Sequence, residues 1–456
     1  MSARALPWAL PRALPPRRPQ LDPTPSWNAI KPDKNAVLLR NVERQLAATE
    51  GWPLLQGGVP LPVSSGASAL PTLFDDLLPL LWTLRFLLIL PVTVSRDTRT
   101  VRFRWLSWTT LVTAVLWLFT SAISCAVLRF RLAPVLGTGK HFHVWDVVPQ
   151  YATVFGMSYI FFLPVACWAT AGRCVALVEL WQRVEALATA VTGPLHLPGL
   201  RTRARVYSLG SLVLPVLIQS MAMYVLPQER LWMVPAMLHT NAFVVVSTSF
   251  WLCCCSALGA FGSLVAARMP ADLQRLGPQG LRAHRQIWLA LAHLLTQLGV
   301  AWGRLQTLLL AVLFVSITSI SFVITAYVLH GVWDKRLVWL GTVAFFVVIF
   351  IFSICNGAQI ATDGVRLAAV RQLLALSVTH KDEPTCHEII CFLDDIRLER
   401  HHLTICKLGV LSRASLLSFF SLACTYVVVL SQFTLSSETS RTKFDKLPAD
   451  LGIENT

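Results

Sequence analysis

Leu337–Thr362 reads LVWLGTVAFFVVIFIFSICNGAQIAT, 26 residues without Asp, Glu, Lys or Arg. As an α-helix it rises ~39 Å, more than the ~30 Å of hydrocarbon in a bilayer. Its backbone can satisfy itself there, which in lipid only helices and closed barrels achieve. With no charged face, it does not read as the surface helix of a soluble domain. Six other stretches have the same character: Trp105–Leu128, Val147–Gly172, Val206–Gln228, Leu231–Ala267, Leu305–His330 and Ala414–Ser437. In chain order the seven are S1 to S7, with Leu337–Thr362 as S6. The expected fold is all-α, a polytopic membrane protein with seven transmembrane helices. S4 is longer than a bilayer requires, so its inner end is expected to project into the cytosol.

Composition agrees. The chain has 456 residues, 55% hydrophobic and 14% charged, with mean hydropathy +0.59. Soluble domains run at about 45–50% apolar and about 25% charged. A soluble enzyme, a disordered chain and a disulfide scaffold are excluded. Two further segments are ambiguous. Leu77–Val94 is apolar but carries Arg85 at its middle, with Pro79 and Pro91. A central Arg is costly in hydrocarbon, so residues 75–104 are expected to lie at the membrane surface as an amphipathic segment. Gln286–Gly303 is uncharged and runs into S5 after Arg304, which reads as a cytosolic extension of that helix. The Pro- and Arg-rich start lacks the uninterrupted apolar core of a signal peptide. Residues 1–74 are expected to be cytosolic and largely disordered, and the first span to do the targeting.

Lys and Arg set the orientation. The flanks Arg96–Arg104, Arg173–Arg205, Arg268–Arg304 and Arg366–Arg413 hold 21 of them; the opposite loops hold six, Arg129, Arg131, Lys140, Arg230, Lys335 and Arg336. The richer side is expected in the cytosol, with the N-terminus inside, the C-terminus outside and residues 438–456 an extracellular tail. The net charge of +15 is then a property of cytosolic loops and does not call for nucleic acid. None of the 11 cysteines falls in an outer loop, and Cys253, Cys254, Cys255 and Cys424 read as small packing residues within spans.

Little in the chain points to bond-making chemistry. His380, Cys386, His387, Cys391, His401, His402 and Cys406 crowd the S6–S7 connection, but their spacing matches no metal pattern. The mixed charges of Phe392–Arg400 suit a cytosolic helix instead. Catalytic and nucleotide motifs are missing, and no cofactor is expected. Polar and aromatic residues do gather in the outer halves of the spans: Tyr151, Phe155 and Tyr159 in S2, Gln219 and Tyr224 in S3, Trp232, His239 and Asn241 in S4, Thr325 and Tyr327 in S5, Trp339 and Thr342 in S6. Apolar walls with a few convergent polar groups make a small-molecule pocket; an interfacial aromatic belt uses the same residues. The ligand-binding set expected is Tyr159, Gln219, His239, Asn241, Thr325, Tyr327 and Trp339.

S7 contains Thr425-Tyr426-Val427-Val428-Val429-Leu430-Ser431-Gln432-Phe433. This resembles the signature of insect and other arthropod gustatory receptors: Thr-Tyr, five mostly hydrophobic residues, then Gln-Phe, in the last span. Gly409–Leu417 is similar to the family's approach to that helix, and Leu78-Pro79-Leu80-Leu81 with Leu90-Pro91-Val92 to its segment before S1. The resemblance implies a ligand-gated, non-selective cation channel of the plasma membrane. It implies a homo- or hetero-tetramer with related receptors, S7 of four subunits lining the pore and an external small-molecule tastant in each subunit's outer pocket. Thr425, Tyr426, Gln432 and Phe433 are the signature positions. Gln432 and Phe433 would sit near the outer gate, with Val428 and Val429 one turn below on the same faces.

Three other readings compete. A G-protein-coupled receptor needs an outside N-terminus and normally carries an Asp-Arg-Tyr step after the third span and Asn-Pro-x-x-Tyr in the seventh, which are not here. A transporter usually needs ionisable groups inside its spans or an inverted repeat. An odorant-receptor-like channel is a neighbour within the same class.

Overall fold

The computed structural model describes residues 73–96, 99–137, 161–225, 231–331, 333–379, 382–398, 403–405 and 409–445. The expected disordered segment up to residue 72, and the last part of the tail from 446, lie outside the described residues. The chain opens with helix α1 (Leu73–Phe86) and a hairpin of strands β1 (Val92–Ser95) and β2 (Thr100–Phe103). The strands are antiparallel, with Val92 opposite Phe103 and Ser95 opposite Thr100. Long helices follow: α2 (Trp108–Gly137), α3 (Leu163–Thr192), α4 (Leu200–Val225), α5 (Val234–Leu276), α6 (Pro278–Leu329) and α7 (Lys335–Thr379). A short helix α8 (Glu383–Leu398), a two-residue strand pair β3 (Thr404–Ile405) and β4 (Gly409–Val410), and the last helix α9 (Arg413–Asp445) complete the order.

Among the described residues, six helices are long and apolar enough to cross a membrane. They carry S1 and S3 to S7. S2 is seen from residue 161, in the turn before α3; residues 147–160 lie outside the described residues. The architecture is an all-α polytopic membrane bundle. Helices α5, α6 and α7 have 43, 52 and 45 residues, about 65–78 Å each. All three overshoot a bilayer, and their arginine-rich extensions gather at one end, here the basic end; the other is the distal end. Gln286–Gly303 lies within α6 without a break. α9 continues past Ser437 to Asp445, so the stretch expected to begin the tail is still helical.

Residues 75–104 do not form a single amphipathic helix. Leu80 and Leu84 of α1 are fully buried and the hairpin covers Val92, Val94 and Val101. One face of α1, with Leu73, Leu77, Leu80 and Leu84, packs inward against α4 and other helices, while Trp82 and Phe86 on the other face stay exposed. Arg85 comes in its last turn, with the guanidinium 5.1 Å from the exposed Trp82 ring. Polar contacts then hold this unit on α3: Glu185 accepts the Leu73 backbone N–H at 3.1 Å and Gln182 donates to the Arg99 carbonyl at 2.6 Å; within the unit Arg99 pairs with Asp75. Burial pushes the carboxyls of Glu185 and Asp76 above their ordinary range.

α5 is the axis of the packing. Of its most apolar stretch 67% is buried, against 6% for α9. It runs parallel to α7 at backbone contact. A Cβ on Gly259 would stand 2.5 Å from the Ile360 carbonyl oxygen, and one on Gly364 would overlap the Gly259 backbone. Two buried indoles lock α7 in register: Trp251 Nε1 of α5 donates to the Ile354 carbonyl and Trp288 Nε1 of α6 to that of Val365, both at 3.0 Å. Gly277, at φ +63°, is the one-residue joint between α5 and α6; its N–H closes α5 on the Leu273 carbonyl. Just past the joint, buried His284 meets Asp272 across 2.9 Å. α8 packs on α6 through Phe392 and Trp288, and Arg282–Glu388 and Arg285–Asp395 pairs flank that contact.

Candidate functional site

The distal ends of α4, α5 and α7, here the cup, share a register that follows from three contacts. Ser211 donates to Ser249 at 3.4 Å, which aligns antiparallel α4 and α5. Eight residues distal on each helix stand Gln219 and Asn241, at one level because the rise per residue is equal. Trp251 and Ile354 align α5 with α7. Twelve residues distal on each stand His239 and Thr342, with Trp339 a turn further. Lys335 closes the rim, its Nζ 5.6 Å from the Tyr224 ring. The structure therefore brings Gln219, His239, Asn241 and Trp339 to one end of three adjacent helices. Tyr159 lies outside the described residues.

Thr325 and Tyr327 do not join that level. Gln306 of α6 donates to the Ser247 carbonyl of α5 at 3.4 Å. Thr325 is nineteen residues distal of Gln306, whereas α5 ends only thirteen residues distal of Ser247. α6 overshoots its neighbour, and Thr325 donates to its own helix at the Ser321 carbonyl.

Inside the cup the polar groups are under-satisfied. Gln219 is 5% exposed and its Nε2 has no partner among the described residues; the same holds for the Thr240 and Thr248 hydroxyls. Deeper, Ser247 Oγ, Gln306 Oε1 and Trp302 Nε1 are also buried and have no partner among the described residues. Each such atom costs about 1–3 kcal/mol while it stays unpaired, a cost that added donors and acceptors would relieve. The sequence reading missed Thr240, Ser247, Thr248, Gln306 and Trp302. Their signal was present: polar residues one or two helical turns apart within charge-free runs, on flanks facing another helix.

α9 is the second feature. Tyr426 packs edge-on against Phe314 of α6, with ring centroids 6.1 Å apart, and Phe419 approaches the same ring at 6.2 Å. That stripe faces the bundle. Leu417, Val428 and Gln432 lie exposed, and helical spacing puts them together on the opposite face. Val429 is 39% exposed between the two. Thr425 donates to the Ser421 carbonyl of its own helix. The Phe433 side chain lies outside what is described. At its base α9 is tied to α7, where Arg413 Nε donates to Asn356 Oδ1 at 3.0 Å.

Comparison with known proteins agrees with this geometry. A family profile described as 7tm chemosensory receptor matches residues 77–437. Gustatory and odorant receptor 22 of Anopheles gambiae is 26% identical over 338 residues, 73% of this chain and 72% of that one. Gustatory and odorant receptor 21a of Drosophila melanogaster is 25% identical over 281 residues, 61% of this chain and 62% of its own length. The insect olfactory receptor OR5 from Machilis hrabei, solved in complex with eugenol, superposes with a TM-score of 0.55 at 10% identity, over 78% of this chain and 97% of that one. At that identity the likeness shows the fold alone.

Proposed function

Because the chain belongs to the 7tm chemosensory receptor family, we propose that it is a ligand-gated, non-selective cation channel of the plasma membrane, opened from outside by a small-molecule tastant. The observation that carries this is α9, uncharged from Ala414 to Ser437 and with 6% of its most apolar stretch buried, against 67% in α5. A helix left this open needs a covering of lipid or of further chains. Four copies around an axis would turn the face with Val428 and Gln432 toward a central path. An apolar constriction there closes by excluding water. The cup between α4, α5 and α7 takes the ligand, and α7 links it to α9 through Asn356 and Arg413. The basic end is cytosolic by its 21 to six excess of Lys and Arg, which puts the N-terminus inside and the cup outside.

A second reading differs in the ligand alone. The names of both relatives join taste and odour, which sets volatile compounds beside soluble tastants as candidates. The test is whole-cell recording from receptor-null cells that express the chain, against panels of soluble and volatile compounds. An agonist-evoked cation current is expected at normal surface levels, together with an N-terminal tag that antibody reaches only after permeabilisation. Ligand responses that require a G protein, with a tag exposed on intact cells, would overturn the channel reading.

A further inference from the structure

A cavity of about 220 Å³ lies further along α7, toward its basic end. Gln359, Thr362, Asp363, Arg366 and Leu367 line it from one helical face; Val410, Leu411 and Ser412, the linker into α9, close the other side. Asp363 and Arg366 are the first charges after the charge-free run Leu337–Thr362. Counted from Lys335 at the far rim, they lie ~42 and ~46 Å along the helix. A bilayer with its headgroups is about 40–45 Å thick. The cavity therefore opens at the headgroup layer of the basic end, whichever side of the cell that faces.

Its charges are arranged as a dipole. Asp363 Oδ1 accepts from Gln359 Nε2 at 2.8 Å, which leaves its other oxygen without a partner among the described residues. Arg366 makes no ion pair among the described residues, Asp363 included. Arg413, on the linker side, is engaged by Asn356. A carboxylate and a guanidinium that face one recess without meeting each other suit a zwitterion: an anion on Arg366 and an ammonium on Asp363. Leu367 and Val410 are 42% and 46% exposed and supply an apolar lip. Among the described residues no aromatic one lines the recess, and a quaternary ammonium is recognised best by aromatic faces. A primary ammonium instead donates hydrogen bonds to a carboxylate.

We infer that the recess between α7 and the β4–α9 linker holds the headgroup of a phospholipid with a phosphodiester and a primary ammonium, its phosphate on Arg366 and its ammonium on Asp363. The occupant would sit beside the first turn of α9, where its presence fixes the linker's position.

The test is native mass spectrometry of the full chain, purified in detergent and supplied with phosphatidylethanolamine, phosphatidylcholine or phosphatidylglycerol. It needs neither tastant nor current, so its failure is separate from failure of the channel reading. Phosphatidylethanolamine is expected to be retained best. Arg366→Gln should weaken retention of all three by roughly tenfold, the scale of one charge-assisted hydrogen bond. Asp363→Asn should weaken phosphatidylethanolamine alone and so erase the preference. Leu367→Trp, at an exposed position where folding is insensitive, should lower retention by filling the lip. Equal retention of the three lipids by the unaltered chain overturns the assignment, as does retention unchanged in all three variants. Displacement by soluble phosphoethanolamine at similar concentrations would make the ligand a free zwitterion and not a lipid. Cross-linking from Leu367→Cys to a second copy would show the recess covered by protein.

Discussion

At the scale of single residues, polar groups held in apolar surroundings carry the specificity of this chain. His239 lies half-buried at the level of Thr342, within reach of a ligand in the cup. His239→Ala should shift the agonist dose response by roughly 1–3 kcal/mol if the imidazole touches the ligand, and single-channel conductance should stay as it is. A shifted conductance with an unmoved dose response would place His239 on the pore and not in the cup. His284 is a different case. It lies 45 residues from Leu329 along α6, ~68 Å, and so outside the bilayer. Burial pushes its imidazole below the ordinary value of 6.5, with Asp272 acting against that shift. The folded chain thus prefers the neutral ring. As pH falls through 6.5 the unfolded chain takes up the proton first, and stability is lost in that window. The melting temperature in detergent should drop between about pH 7.5 and pH 5.5. His284→Gln should remove part of that drop, and a mutant curve parallel to the wild type would show that other groups cause it.

At the scale of elements, the α5–α7 contact is set by glycine. An exposed helical Gly→Ala gains about 1 kcal/mol, and Gly341 of α7, with nothing within 4 Å of a built Cβ, is such a site. Gly364 is its opposite, because a Cβ there overlaps the Gly259 backbone. Gly364→Ala should cost about 1–3 kcal/mol through overpacking, while Gly341→Ala is neutral or stabilising. Thermal stability and yield of the two variants side by side check this; equal behaviour would mean that the helices separate freely. The same contact shows what the sequence could and could not reveal. The spans were legible because a charge-free run of this length has few other homes. The long cytosolic extensions were legible where, as at Gln286–Gly303, no breaker intervenes. The fold of α1 with its hairpin was not, since Arg85 and two prolines argue against a span without saying what replaces it. Gln219, His239 and Asn241 could be grouped from sequence because each lies near one end of its run. Thr325 and Tyr327 stand further out along α6 than these do along their helices, and nothing in the sequence tells that α6 overshoots α5. Ser247 and Gln306 escaped notice because the amide–carbonyl contact that joins them depends on helix register, which composition does not encode.

At the scale of the whole molecule, the unevenness of burial is the main fact. A chain that buries α5 and leaves α9 open is built to meet something along α9. In the proposed four-fold assembly Val428 and Gln432 share the face turned away from Tyr426 and the bundle. Each would recur four times around the axis, one a ring of methyl groups and the other a ring of amides. Phe433 follows Tyr426 by two turns, so spacing puts it nearer the stripe that Phe314 anchors. The two signature residues then have separable roles. Gln432→Ala removes four polar groups from a narrow passage and should alter unitary conductance or ion preference. Phe433→Ala should raise current without ligand, whether the ring blocks the path itself or braces α9 against α6. Val428→Ser, which makes the constriction wettable at almost unchanged volume, should also raise basal current. Recording all three at matched surface expression separates them. If α9 faced lipid instead, Val428→Ser and Phe433→Ala would lower expression and leave basal current, conductance and agonist response as they were, and that outcome would remove α9 from the conduction path.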